Sequence, residues 1–419
     1  MPSEYIPRVV DRELLERLEA SGGVLIEGPR SVGKTQTARR LAASEALLDV
    51  DDRLRLASGI EPQLVLDGEP PRLIDEWQIE PKIWNHIRRA IDDRGEAGQF
   101  ILTGSATPAD DLTRHSGAGR ISRMRMRPMS LLESDRSSGE ISLQELLDGE
   151  PARTPGRESN LEELATEIVT GGWPGLRQVS ARTKGRAMRD YLSEITHVDL
   201  EHPDLPRHDA ARVDRLIASL ARNVSTEASA ATLAKDTGGD DEAPLSDDSV
   251  RAYLEALRRI FILEDQPAWG PHLRSRYRTR TSPKLHLADP SLAAAGLRAS
   301  AESLLKDLRL LGLLFESLVV RDLRVYAQAC DAKVLHYRDE SGLEADLIIE
   351  HADGRWAAFE VKLGGGLIDE AAISLKKLAA RVDTEVCGEP AALGVIVPHG
   401  LGMQREDGVQ IVPLNALGP

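Results

Sequence analysis

The chain has 419 residues, 41% hydrophobic and 29% charged, with a formal net charge of −15. These proportions exclude an intrinsically disordered chain, the acidity excludes a surface coated in positive potential, and no apolar run approaches the roughly 18 residues that span a bilayer. Cys330 and Cys387 are the only cysteines, too few for a disulfide framework or a cysteine zinc site, so a reducing cytoplasm is the expected compartment.

The first stretch, "MPSEYIPRVVDREL", lacks the apolar core of a signal peptide, and no secretory leader is expected. The first 130 residues alternate short apolar runs with helical patterns, which predicts a parallel α/β sheet. Strands are expected at "GVLIEG", "ALLDVDD", "RLIDEWQ", "QFILTGS" and "ISRMRMR". Between the first strand and a helical stretch lies "GPRSVGKT", which fits G-x-x-x-x-G-K-[ST] in full. Glycines allow such a loop to wrap so that backbone N–H groups face phosphate oxygens, and the following helix N-terminus adds partial positive charge. ATP is therefore expected against Gly28, Pro29, Arg30, Ser31, Val32, Gly33, Lys34, Thr35 and Gln36. Lys34 is expected to reach the β- and γ-phosphates, and the Thr35 hydroxyl to ligate Mg²⁺.

"RLIDEWQ" ends an apolar strand in two acids. Placed beside the P-loop strand, it would bring Asp75 to the Mg²⁺ and let Glu76 orient and deprotonate the attacking water. Thr103 or Ser105, at the end of "FILTGSATP", is either a γ-phosphate sensor or a cap of the next turn. "HSGAGR" offers Arg114 and Arg120 as arginine fingers, in cis or from a neighbouring subunit. Arg120 is preferred because it lies between a glycine-containing loop and a strand; a role in trans requires a homo-oligomer.

A polar, Pro- and Gly-containing connector follows near 135–160, and then a mostly helical stretch. Within it, "GGWPG" at 171–175 reads as a structural junction that fixes the helical region against the N-terminal domain. Residues 212–285 pattern as a winged helix, with Ser246 or Asp247 capping the second helix and Val250, Leu254 and Leu257 forming its buried stripe. Arg251, Arg258 and Arg259 fall on the exposed flank. The wing position carries Arg274, Arg276, Arg278 and Arg280 and then Lys284, without an acid. Alternating arginines on an extended segment suit a row of phosphates, so DNA is an expected partner, and contact with a protein is the other reading. The ten histidines, His86 and His286 among them, show no metal-binding spacing.

The C-terminal third opens with a long helix containing Glu316 and leads to "DLIIEHADGRWAAFEVK". If Ala352, Asp353 and Gly354 form a three-residue loop with Gly354 left-handed, His351 opposes Arg355 and, counting back, Asp346 opposes Glu360. The two carboxylates then share a face with Lys362. A two-residue turn would separate them. Close carboxylates repel unless a cation lies between, so Asp346 and Glu360 are expected metal ligands, with Lys362 a catalytic cation and Glu316 a further ligand or hydrogen-bonding group. The alternative is a polar sheet edge in which Lys362 makes an ion pair.

Together "GPRSVGKT", "LIDEWQ", "ILTGS" followed by "AGR", "GGWPG", "GLLFESLVV" and "EADLII…FEVK" resemble the prokaryotic AAA-like P-loop ATP-binding proteins whose C-terminal domain is of unknown function and similar to the PD-(D/E)xK nuclease core. The resemblance implies an α/β P-loop domain over 1–135 with helices on both faces of its sheet. It further implies a helical, winged-helix region over 136–290 and a restriction-endonuclease-like domain over 291–419. Two functions follow as expectations. One is an ATPase whose nucleotide state controls a DNA-binding, nuclease-like module; the other is an ATP-dependent switch with non-catalytic C-terminal surfaces.

Overall fold

The computed structural model describes residues 5–106, 116–196, 210–238, 243–271 and 282–419. The chain forms two compact units, one of residues 1–128 with 259–262 and one of 129–258 with 263–419.

The first unit is built on a five-stranded sheet: β1 (Gly23–Glu27), β2 (Ser44–Leu47), β3 (Arg72–Asp75), β4 (Phe100–Gly104) and β5 (Ile121–Arg125). All neighbouring pairs are parallel, in the order β2-β3-β4-β1-β5. Parallel strands covered by helices on their faces read as continuous apolar runs, and Leu25, Ile74, Phe100 and Leu102 are fully buried in one cluster. The helix Ile83–Arg94 joins that cluster through Ile83, Ile87 and Ile91, spaced about one helical turn apart along its inner face, with Trp84 beside them.

Two expectations are corrected here. β2 starts earlier than the run "ALLDVDD" suggests and stops at Leu47, because Asp51 caps the next helix by accepting from the N–H groups of Arg53 and Leu54 at 2.9 and 3.2 Å. The acidic strand β3 does not lie beside the P-loop strand β1, since β4 is inserted between them.

The second unit holds a six-stranded sheet made of β9 (Ala332–Arg338), β10 (Glu344–His351), β11 (Trp356–Val361), β12 (Ala392–Val397), β13 (Met403–Gln404) and β14 (Gln410–Pro413), in the order β13-β14-β12-β11-β10-β9. The helix Leu308–Ala329 packs on β9 and β10, and Ile368–Arg381 packs on β10 and β12. Ahead of this sheet come a short strand, β6 (Ile141–Ser142), the helices Ala210–Arg222, Ala230–Lys235 and Asp247–Arg259, then an antiparallel ladder of β7 (Leu263–Gln266) and β8 (Lys284–Leu287). Ser246 caps the helix from 247 by accepting from the N–H of Ser249 at 3.1 Å, and Val250, Leu254 and Leu257 are buried as the stripe predicts. Arg258 is not free on the flank: it forks onto Asp265 at 3.0–3.1 Å. Arg251 pairs with Asp248. The four wing arginines, Arg274 to Arg280, and Arg114 lie outside the described residues.

"GGWPG" is a junction, but one internal to the second unit. The Gly172 N–H donates to Asp289 at 3.0 Å, the Trp173 indole donates to Ser291 at 3.0 Å, and the Gly172 carbonyl accepts from the N–H of Met129. Behind it, Arg321 lies between Asp289 at 2.8 Å and Asp322 at 2.6 Å, all three essentially without solvent exposure. Asp322 also accepts from the N–H of Leu131 at 3.0 Å.

Candidate functional site

The loop after β1 leads straight into the helix Lys34–Arg39. Gly33 takes φ 101° at the helix start, and Ser31 also adopts a left-handed conformation at φ 64°. A Cβ on Gly28 would meet the carbonyl oxygen of Met126 at 2.0 Å, so only glycine fits where the loop leaves the sheet. The first N–H groups of a helix have no intrahelical acceptor and remain available to an anion. Lys34 is buried and curls back onto the carbonyls of Gly28 and Pro29 at 2.9 and 2.8 Å. Burial pushes its ammonium down to about 8, against the pull of Glu76 and Asp75.

Three strands converge beside this loop. Asp75, at the end of β3, accepts from the Thr35 hydroxyl at 2.8 Å and from the Thr103 hydroxyl of β4. Its carboxyl is raised by burial and held back by these two hydroxyls. The oxygens of Thr35 and Asp75 lie together and suit a hard cation such as Mg²⁺. Glu76 is left-handed at φ 51°; its N–H donates to Thr103 at 3.1 Å, and its carboxylate accepts from Ser105 at 2.9 Å and from Gln78. Thr103 thus holds the Asp75 carboxylate and the backbone of Glu76, and Ser105 orients the Glu76 carboxylate. Arg8 completes the frame. Its guanidinium donates to the carbonyls of Val32 and Arg127, each at 2.8 Å, tying the loop to the segment after β5. Nothing in the local pattern around Arg8 announces this contact.

Arg120 lies elsewhere. Its carbonyl accepts from the N–H of Gly23 and the next residue pairs with Gly23, so it sits at the N-terminal edge of β1. The P-loop leaves the opposite edge, about 16 Å away at 3.3 Å per strand residue. Arg120 is held there by Asp92 at 2.6 Å. It therefore does not reach the P-loop of its own chain, and the role in cis is withdrawn.

In the second unit, the hairpin register is as derived. Leu347 pairs with Phe359 and Glu350 with Trp356, the His351 N–H donates to the Arg355 carbonyl, and Gly354 takes φ 95°. Asp346 and Glu360 are brought together, as expected from the turn. Lys362 pairs with Glu360 at 2.6 Å and with Asp346 at 3.6 Å. A second lysine, Lys284 of β8, reaches Glu316 at 2.7 Å and Asp346 at 3.4 Å. Burial drives Glu316 up to about 8, with Asp346 adding to the rise. Burial and Asp346 likewise raise Glu360. Asp346 is depressed instead: burial opposes this, but Lys284, Lys362 and the N–H of Val361 outweigh it. Two ammoniums fill the space between the acids, and among the described residues no group of three or more His, Cys, Asp or Glu side chains is arranged for a metal. Asp346 and Glu360 do not fit a metal ion here, which corrects the sequence expectation.

Residues 21–134 match a family described as AAA domain. The N-terminal unit is an AAA-type P-loop domain. Beyond it, residues 161–303 match Domain of unknown function (DUF8612) and residues 311–417 match Domain of unknown function (DUF4143). No curated protein matches the chain. Among solved structures, a Walker-type ATPase of Pyrococcus abyssi is 14% identical, over 70% of this chain and 97% of that one, with a TM-score of 0.42. The AMPPCP-bound DnaA of Aquifex aeolicus is also 14% identical, over 59% of this chain and 86% of that one, with a TM-score of 0.21. At such TM-scores neither likeness bears on what this chain does. The AAA domain brings Lys34, Thr35, Asp75 and Glu76 to one sheet edge. Among the described residues no helix is long and apolar enough to cross a membrane. His286 is a packing residue, buried between Gln266 and Ser317 and kept neutral by burial.

Proposed function

We propose that the protein binds and hydrolyses ATP, and that its nucleotide state governs how the second unit is presented to a partner. The observation that carries this reading is the contact of Thr35 with Asp75 beside Lys34. Those oxygens would hold Mg²⁺, which neutralises charge on the β- and γ-phosphates. Lys34 would leave the carbonyls of Gly28 and Pro29 for the phosphate tail. Glu76 would take the proton of the attacking water, its carboxylate oriented by Ser105 and Gln78. Thr103, hydrogen-bonded to the Asp75 carboxylate and the Glu76 N–H, would relay the presence of the γ-phosphate. Arg120 is retained as a finger acting in trans, which makes the active species a homo-oligomer.

Glu76→Gln tests the chemistry apart from binding. Removing a general base costs about 10²–10⁴ in rate. ATP binding by calorimetry should stay within a few-fold of the parent while phosphate release falls by at least ~100-fold; unchanged turnover would remove Glu76 from the reaction.

Lys34 also gives binding a pH signature. In the free protein it loses its proton near pH 8. A bound phosphate restores the charge, so binding above that pH takes up a proton. Affinity for ATP should be flat below about pH 7 and fall by up to about tenfold per pH unit above 8, within the range where the complex keeps its proton. Calorimetry in buffers of different ionisation heat reads the proton uptake directly, and observed heats that do not vary with the buffer's ionisation heat would exclude Lys34 as its source.

For the second unit, the switch reading is favoured over the nuclease reading by the two lysines that pair with Glu316, Asp346 and Glu360. Support for a winged helix with a DNA- or protein-docking role comes from three helices followed by an antiparallel ladder at the position of a wing.

A further inference from the structure

We propose that Lys284 is a built-in counter-ion standing where a divalent cation would otherwise sit among Glu316, Asp346 and Glu360. The inference is independent of ATP hydrolysis, because none of these residues belongs to the P-loop unit.

Lys284 is held in place from every side. It lies on β8, opposite Gln266 in the ladder. Its neighbour Leu285 exchanges backbone hydrogen bonds with Ser225 and Thr226, at 2.9 and 3.0 Å. Gln266 in turn donates to the carbonyls of Asp346 and Leu335, each at 2.9 Å, and meets His286 at 3.0 Å. The ladder is thus fastened to β9 and β10, and the lysine side chain, 11% exposed, is aimed between Glu316 and Asp346.

Asp346 and Glu360 have further donors. Asp346 accepts from the N–H of Val361 at 2.9 Å, and Lys362 bridges Glu360 and Asp346. Three carboxylates face two ammoniums. A hard divalent ion needs several oxygens at about 2.0–2.6 Å, and both oxygens of Asp346 with one each of Glu316 and Glu360 already face N–H donors. Deleting the ammonium of Lys284 leaves three buried carboxylates with one lysine, an arrangement that must take up a proton or a cation. A Mg²⁺- or Mn²⁺-class ion is the substitute with the matching charge and ligand chemistry.

The experiment uses the nucleotide-free full chain and Mn²⁺, with the free ion followed by electron paramagnetic resonance. The parent should show no Mn²⁺ uptake that depends on Asp346. Lys284→Met, which keeps most of the aliphatic stem, should gain a site at least tenfold tighter than anything in the parent, and this site should vanish in Lys284→Met/Asp346→Asn. Asp346-dependent uptake by the parent, or none by folded Lys284→Met, would overturn the proposal. If Lys284→Met does not fold, Lys284→Met/Glu316→Gln, which removes the ammonium together with one of its two acid partners, should regain the parent's near-ultraviolet circular dichroism without binding Mn²⁺. Failure of that double variant to fold would equally count against a counter-ion role.

Discussion

Lys34→Ala is expected to lose ATP affinity by on the order of 100-fold, measured by calorimetry on folded protein. A charge-assisted hydrogen bond in a buried site contributes about 1.5–3 kcal/mol, and 1.4 kcal/mol is a factor of ten in binding. Lys34 is suited to that role because its ammonium is already desolvated, resting on two loop carbonyls rather than on water. Little further solvent need be stripped from it when phosphate arrives. The helix start and the left-handed loop residues would remain, so residual weak binding is expected, with phosphate release lost in parallel. A variant that binds ATP like its parent would contradict the assignment of the loop as the nucleotide site.

Arg321→Met is expected to be the most damaging single change to stability. The guanidinium satisfies Asp289 and Asp322, which are fully buried and which also hold the N–H groups of Gly172 and Leu131. Removing one partner of a buried ion pair strands the other charge and costs about 3–5 kcal/mol. In a unit of this size that corresponds to a fall in melting temperature on the order of 10 °C, followed by circular dichroism. Because the same carboxylates pin the Gly171–Trp173 junction, the loss should be cooperative across the second unit. A shift of no more than one or two degrees would mean that the network adds little.

What could be read in advance and what could not divides by range. The P-loop is a contiguous pattern whose glycines and lysine carry their geometry with them. The hairpin register followed from one residue: Gly354 selects the turn, and the turn then fixes Asp346 against Glu360 five residues away. Strand order is different. The insertion of β4 between β1 and β3 depends on which crossovers pack together, and no local pattern records that. Arg120 looked well placed because a loop and a strand flank it, but only the strand's direction says which sheet edge it occupies. Lys284 was read with the arginines before it as part of a basic stretch. Its partners Glu316 and Asp346 lie 32 and 62 residues away, so its charge was visible and its role was not. Arg321 and Asp322 were hidden in the same way, inside a helix that reads as apolar, with Asp289 supplied from another segment.

Residues 259–262 belong to the first compact unit although the chain leaves that unit at Pro128. The Arg125 guanidinium lies 4.0 Å from the centre of the Phe261 ring. On the ribosome, the ring that faces Arg125 therefore emerges long after the strands of this sheet. A gene fragment cut at the apparent domain end should yield a sheet whose Arg125 lacks the aromatic ring it faces in the full chain.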